Sequence, residues 1–231
     1  MINKDKLIEK CSTYGIQIED KLAEKLDLYA EILVEYNKKV NLTAITLPEE
    51  IEDKHFIDCL IFSRRGEVKG KMVDVGTGAG FPGVVTKLYK PEVDLYLMDP
   101  TGKRIDFLKF LCKELQMEAE FVKERAEEAA RKEWREMFDV ATARAVAALP
   151  VLAEYCIPLV KPEGYFIAMK GSEDESEQAE NAAHILGATL TGKESYFLPN
   201  GEERMLLVYK KVENTNSIYP RNGGKIAKKP L

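Results

Sequence analysis

The chain has 231 residues, 45% of them hydrophobic and 32% charged, with a net charge of −5. That composition supplies one sizeable core, and it excludes a disordered chain and one that coats nucleic acid indiscriminately. No apolar run approaches the roughly 20 residues that span a bilayer, and the polar N-terminus lacks a signal-peptide pattern, so a cytoplasmic protein with no membrane contact is expected.

Residues 1–39 repeat apolar positions (Leu22, Leu26, Tyr29, Ile32, Leu33, Tyr36) at intervals of three and four, which predicts two helices. The chain breaks between Asn41 and Pro48, and a short helix is expected over Glu49–Phe62. From Lys71 the pattern alternates. Strands are expected at 71–75, 93–98, 119–123, 138–142 and 164–169. Helices are expected at 82–89, 102–116, near 127–136, at 147–157 and at 174–186. Two further strands near 188–197 and 204–210 have no helix between them. This pattern predicts a mostly parallel seven-stranded sheet with an antiparallel hairpin at one edge. The division expected is a helical cap over 1–65, an α/β core over 66–212 and a tail over 213–231.

The most informative stretch is Asp74-Val75-Gly76-Thr77-Gly78-Ala79-Gly80-Phe81-Pro82-Gly83, which follows the apolar pair Met72-Val73. It reads as a strand end, a glycine turn and a helix start, where bare backbone N–H groups can approach a nucleoside. Counting from Gly76, the sixth position is Phe81. The stretch therefore departs from the dinucleotide pattern G-x-G-x-x-G and follows D-x-G-x-G-x-G, which favours S-adenosylmethionine over NAD. Asp74, Gly76, Gly78 and Gly80 are the first candidate cofactor residues, with Asp74 expected beside the cationic methionine moiety. A glycine turn that binds nothing is the plain alternative.

In open α/β sheets ligands sit beyond the carboxyl ends of the strands, so polar strand ends are further candidates. Asp99 is placed either to accept ribose hydroxyls or to cap the next helix. Arg125-Ala126-Glu127 is placed to meet an adenine edge, although Glu127 is equally a first-turn helix acid. Arg144 and Lys170-Gly171 bring cations to two more strand ends, either for an electron-rich substrate or as ordinary loop charges. The segment from Lys210 to Leu231 holds six basic residues against one acid, Glu213, and reads either as an RNA-contacting arm or as a solvated tail.

These motifs occur in order with others: Asn41-Leu42-Thr43, His55-Phe56-Ile57-Asp58, Gly102-Lys103-Arg104, Phe138-Asp139-Val140, Ala143-Arg144-Ala145 and Tyr219-Pro220-Arg221. From about Tyr36 to the C-terminus the chain resembles the RsmG (GidB) family of small-subunit ribosomal RNA guanine-N7 methyltransferases. The resemblance implies a class I S-adenosylmethionine-dependent methyltransferase fold, Rossmann-like, and transfer of the cofactor's methyl group to N7 of one guanine of 16S rRNA. The partner is naked rRNA or the small ribosomal subunit, and a monomer is expected. The family's cofactor contacts fall on Gly76, Phe81, Ala126, Glu127 and Arg144. Its basic positions fall on Lys103, Arg125, Lys170 and the Arg221 region; from the tail's own charge, Lys225, Lys228 and Lys229 are further candidates for RNA contact. Two departures stand out: Pro100 after Asp99, and Cys59 after Asp58, where the family usually has serine.

Guanine N7 offers an in-plane lone pair and loses no proton on methylation, so no general base is required and none is assigned. Arg125 and Arg144 are expected to orient cofactor and guanine. His55 and Asp58 are read as a structural hydrogen-bonded pair. Cys11, Cys59, Cys112 and Cys156 have no C-x-x-C spacing and the only histidines are His55 and His184, so no metal is expected. Two other classes share some of these features: a non-catalytic nucleotide- or RNA-binding module and an NAD-dependent oxidoreductase. The second lacks the sixth-position glycine.

Overall fold

The computed structural model describes residues 1–231. Helix α1 (Lys4–Thr13) starts at Asn3, whose side chain accepts from the Lys6 N–H, and α2 (Asp20–Asn37) buries Ala23, Leu26, Tyr29, Ala30 and Leu33 on one face. Full burial of each large apolar side chain contributes about 1.5–3 kcal/mol, so packing rather than helix propensity holds α2 in place. The expected helix over Glu49–Phe62 is one continuous run: α3 (Pro48–Ile51), a π-helical turn (Glu52–Ile57) and α4 (Asp58–Ser63).

The remaining elements alternate: β1 (Lys71–Val75), α5 (Gly83–Tyr89), β2 (Asp94–Met98), α6 (Gly102–Glu114), β3 (Glu120–Val122), α7 (Ala126–Ala129), β4 (Phe138–Arg144), α8 (Leu149–Cys156), β5 (Val160–Lys170), α9 (Glu180–Ile185), β6 (Ala188–Phe197), β7 (Glu203–Lys211) and α10 (Gly223–Lys228). The sheet runs β3-β2-β1-β4-β5-β7-β6. The first five strands are parallel, and β7 pairs antiparallel with both β5 and β6. Strand order reverses between β1 and β4, which places the topological switch point at the C-terminal ends of those two strands. One apolar cluster of 38 buried residues joins α1, α2 and α4 to one face of the sheet, so the cap is a layer of the core; a second cluster of 27 fills the other face.

Three expectations need correction. The helix near 127–136 stops at Ala129 because the residues after it bond elsewhere: Arg135 donates to the carbonyls of Thr215 and Tyr219, and Glu136 accepts from the Thr215 N–H. The helix over 174–186 begins only at Glu180. Asp174 turns the chain by accepting from the Ser176 N–H, and Glu175 is drawn to Lys170 and to the Leu149 N–H. The tail is folded, not frayed. It ends in α10, capped by Asn222, with Ile226 fully buried.

Candidate functional site

A cleft of about 630 Å³ opens at the C-terminal ends of β1, β4 and β5. That volume lies within the range of small-molecule sites. Gly76, Thr77, Gly78, Ala79 and Phe81 form one side, Leu42–Ile45 and His55 another, and Arg144, Met169, Lys170 and Gly171 a third. A separate cavity of about 680 Å³ between α9 and β6 includes Tyr209, which pairs with Phe166 in the middle of β5, and it shares no lining residue with the cleft.

The glycine turn takes its shape from what lies beneath it. Asp74 is fully buried, and its Oδ2 accepts from the Thr77 hydroxyl (2.7 Å) and the Gly83 N–H (2.8 Å). Burial pushes this carboxyl up to about 7. Asp74 therefore ties the turn to α5 and does not line the cleft, which corrects its expected place beside the methionine moiety. The Tyr29 hydroxyl donates to the Ala79 carbonyl from the other side (2.5 Å). Gly76 and Gly78 lie at φ +65° and +59°, and a Cβ on Gly78 would meet nothing closer than 3.8 Å. Space is open over Gly78, whereas a Cβ on Gly76 would fall 2.6 Å from the Val146 side chain. A Cβ on Gly80 would instead fall 2.7 Å from Val84 and 2.8 Å from the Tyr29 hydroxyl, so Gly80 serves close packing.

Arg144, at the end of β4, organises the opposite wall. Its NH1 group donates to the Lys54 carbonyl and to Asp58 Oδ2 (both 2.9 Å), and its NH2 group donates to His55 Nδ1 (2.9 Å). Guanidinium can only donate, so His55 accepts at Nδ1 and its Nε2–H faces the Thr43 hydroxyl at 3.2 Å. Burial and the Arg144 charge push His55 down to about 3, so the imidazole is neutral. Both ring nitrogens are committed. The expected His55–Asp58 hydrogen bond is absent; Arg144 stands between them. Phe81 is sandwiched by stacking, 4.2 Å from the His55 ring centroid and 5.0 Å from that of Tyr29, with the Arg144 guanidinium 5.1 Å from its centroid.

Asp58 completes the network through a residue that sequence reasoning missed. Its Oδ1 accepts from the hydroxyl of Tyr196 (2.7 Å), on the edge strand β6. Thr43 is held by Asn37, whose side-chain oxygen accepts from the N–H groups of Leu42 and Thr43. Cys59 is fully buried beside this network, and burial raises its thiol pKa. Lys54, Arg104 and Arg204 also line the cleft, so with Arg144 and Lys170 it presents five cations against a single carboxylate, Asp58. That carboxylate is already spent on Arg144 and Tyr196. Each cation is paired, Arg104 with Asp99, so the cleft offers an electron-rich partner spare N–H donors rather than unpaired charge. Lys54 and Arg204 share Glu202, and Lys170 pairs with Glu175.

The other expected residues continue along the ends of β2 and β3, outside the lining of this cleft. Asp99 is fully buried and accepts from the Thr101 N–H (2.8 Å), the Gly78 N–H (3.3 Å) and Arg104 (3.1 Å). It braces the turn before α6, whose N-cap is Thr101, so it is not itself the cap. Ala126 and Glu127 open α7 and are buried. Arg125 precedes them as an exposed residue, and the structure does not bring it to Arg144 or to the cleft wall. Lys103, Lys225, Lys228 and Lys229 are exposed. Arg221 is turned inward, bound to both oxygens of the fully buried Glu154. No group of three or more His, Cys, Asp or Glu side chains is arranged to hold a metal ion, and no helix is long and apolar enough to cross a membrane.

Residues 22–206 match the family model described as GidB, rRNA small subunit methyltransferase G. Two curated relatives bear the name ribosomal RNA small subunit methyltransferase G. That of Alkaliphilus metalliredigens is 44% identical over the full length of both chains. That of Desulfitobacterium hafniense is 46% identical over 94% of this chain and 92% of the relative. Among solved structures, a putative RNA methyltransferase from Pyrococcus horikoshii superposes with a TM-score of 0.57 at 12% identity, covering 86% of this chain and all of that one. At that identity the likeness is one of fold.

Proposed function

Because the chain belongs to the rRNA small subunit methyltransferase G family, we propose that its cleft takes S-adenosylmethionine at the glycine turn and transfers the methyl group to N7 of a guanine in 16S rRNA. The observation that carries the reading is the join, at the sheet's switch point, of a bare positive-φ glycine turn and a cation-rich wall with no free carboxylate. The residues fit the cofactor: Gly78 leaves room for its amino-acid end, and Asp99, Ala126 and Glu127, which follow β2 and β3, are the residues that would hold its nucleoside. When bound, S-adenosylmethionine supplies an electrophilic methyl group on sulfur.

The chain's own residues then position rather than titrate. Guanine N7 would take the methyl group through its in-plane lone pair, with the electron pair of the methyl–sulfur bond left on sulfur, so the protein would need to hold or move no proton. Neutral His55, with both nitrogens engaged, is suited to bracing Arg144 and not to acting as a base. Arg144 keeps N–H groups beyond those bound to Lys54, Asp58 and His55, and these reach guanine O6 or a phosphate without covering N7. Lys170 offers a second cation on the same wall. Lys103, Arg125, Lys225, Lys228 and Lys229 are exposed and supply rRNA phosphate contacts outside the cleft. A ribosomal substrate places the protein in the cytoplasm. Base-resolved mapping of N7-methylguanine in 16S rRNA, with and without the protein, tests the reading; an unchanged methylation map would refute it.

A further inference from the structure

The basic C-terminal segment is anchored by more than its composition requires. Arg221 makes four hydrogen bonds to Glu154 on α8, one from its backbone N–H (2.7 Å) and three from the guanidinium (2.6–3.1 Å). Glu154 is fully buried, so this partner is the only reason its charge is tolerated there. The Arg131 side chain donates to the Pro220 carbonyl (2.7 Å) and Arg135 to the Tyr219 carbonyl (2.8 Å). Ile226 is fully buried, and Tyr219 and Leu231 pack on the second apolar cluster. Every one of these polar anchors lies on α8 or on the turn that leaves α7, the helix that carries Ala126 and Glu127.

The segment also touches Glu127 itself. A Cβ added at Gly223 would fall 2.2 Å from Glu127 Oε1, so the backbone passes directly over the carboxylate and any larger residue there would push Glu127 aside. No ion pair or hydrogen bond from any side chain holds that carboxylate; the tail is what confines it. The family model ends at residue 206, short of this segment.

We propose that residues 219–231 form a wall of the cofactor site, pinned by the Arg221–Glu154 ion pair, and that Arg221 and Gly223 are positioning residues that hold Glu127 towards the nucleoside. This rests on the cofactor reading above. Arg221 thus serves the cofactor through Glu127, and the segment's outward lysines remain free for RNA.

Titration calorimetry with S-adenosylhomocysteine tests it on the full chain. Gly223→Ala adds one methyl at a position where helix geometry favours alanine, so its only cost is to displace Glu127. Glu154→Leu with Arg221→Met removes the pin without stranding a buried charge. Each is expected to weaken binding by about ten-fold, the scale of one lost charged hydrogen bond. In steady-state methylation by Gly223→Ala, which leaves the pin in place, the KM for S-adenosylmethionine should rise alike, with kcat and the KM for RNA unmoved. Arg221→Lys, which keeps the charge, should recover part of the loss. If the double variant fails to fold, Gly223→Ala decides. Folded Gly223→Ala binding within two-fold of a tightly binding wild type would overturn the tail's role alone. A wild-type chain that binds no S-adenosylhomocysteine would overturn the functional reading and this inference with it.

Discussion

In Asp58→Asn the carboxylate facing Arg144 becomes an amide of the same size, and the charge pair behind the cleft is broken without a cavity. The two side chains are 2% and 15% exposed, so water does little to screen the loss. Removing one partner of a buried pair costs about 3–5 kcal/mol, and the amide oxygen that still accepts from Arg144 returns about 1 kcal/mol of this, leaving about 2–4 kcal/mol. The amide must also turn its nitrogen towards the Tyr196 hydroxyl, which then accepts instead of donating. For a chain of this length each kcal/mol lowers the melting temperature by about 2–4 °C, so a fall of about 5–15 °C is expected. Near-ultraviolet circular dichroism melts, paired with urea titrations, measure it. The control is Asp58→Leu with Arg144→Met, which removes both charges and should recover most of the stability while abolishing methyl transfer. An Asp58→Asn chain that melts within about 2 °C of wild type would refute the claim that this pair braces the wall.

Three more outcomes follow from the same geometry. Gly78→Val should stay folded, at a cost of about 1–2 kcal/mol for its positive φ, yet lose S-adenosylhomocysteine binding in calorimetry, whereas Gly80→Ala should mainly lose stability through its contacts with Val84, Tyr29 and Leu108. Asp74 has a raised native pKa of about 7, so the native state holds a proton that the unfolded chain releases near pH 4, and its contribution to stability falls as pH rises from about 4 to about 7. Neutral His55 acts with the opposite sign between about pH 3 and 6.5, so the quantity to read is the urea-midpoint difference between wild type and Asp74→Asn; a difference flat from pH 4 to 8 would refute the assignment. Alanine at Lys225, Lys228 and Lys229 should reduce the slope of log K for RNA against log salt by about 0.7–0.9 per lost phosphate contact and leave S-adenosylhomocysteine affinity unchanged, and an unaltered slope would remove these lysines from the RNA interface.

What could be read in the sequence was whatever local spacing encodes. The βα alternation, the glycine turn and the rule that ligands sit at strand ends together located Gly76, Gly78, Phe81 and Arg144 on one cleft. Asp74 was misread because strand-end position does not say on which side of a turn a carboxylate lies; its hydrogen bonds to Thr77 and Gly83 draw it beneath. Tyr196 gave no signal, since a tyrosine in an alternating edge strand is ordinary and its partner lies 138 residues away. The tail's lysines read either as an RNA-contacting arm or as a solvated tail, and neither reading shows that the segment docks. Its Asn222-Gly223 start and the lone apolar Ile226 were the available marks of a capped, docked turn of helix. Lys54 and Arg204 reach the cleft only because the π-helical turn and the β6–β7 hairpin converge there.

The antiparallel pairing of β7 between β5 and β6 also governs when the site exists. A ribosome releases the chain from its N-terminus, so the glycine turn, Arg144 and Asp58 emerge well before Tyr196 and Arg204. Until β7 has inserted beside β5, β6 has no neighbour in the sheet and Asp58 has no phenol. A nascent chain therefore carries the glycine turn with one wall of its cleft unbuilt. Premature stop codons as late as the last strand should yield inactive protein, because insertion of β7 is what brings Tyr196 and Arg204 to the cleft.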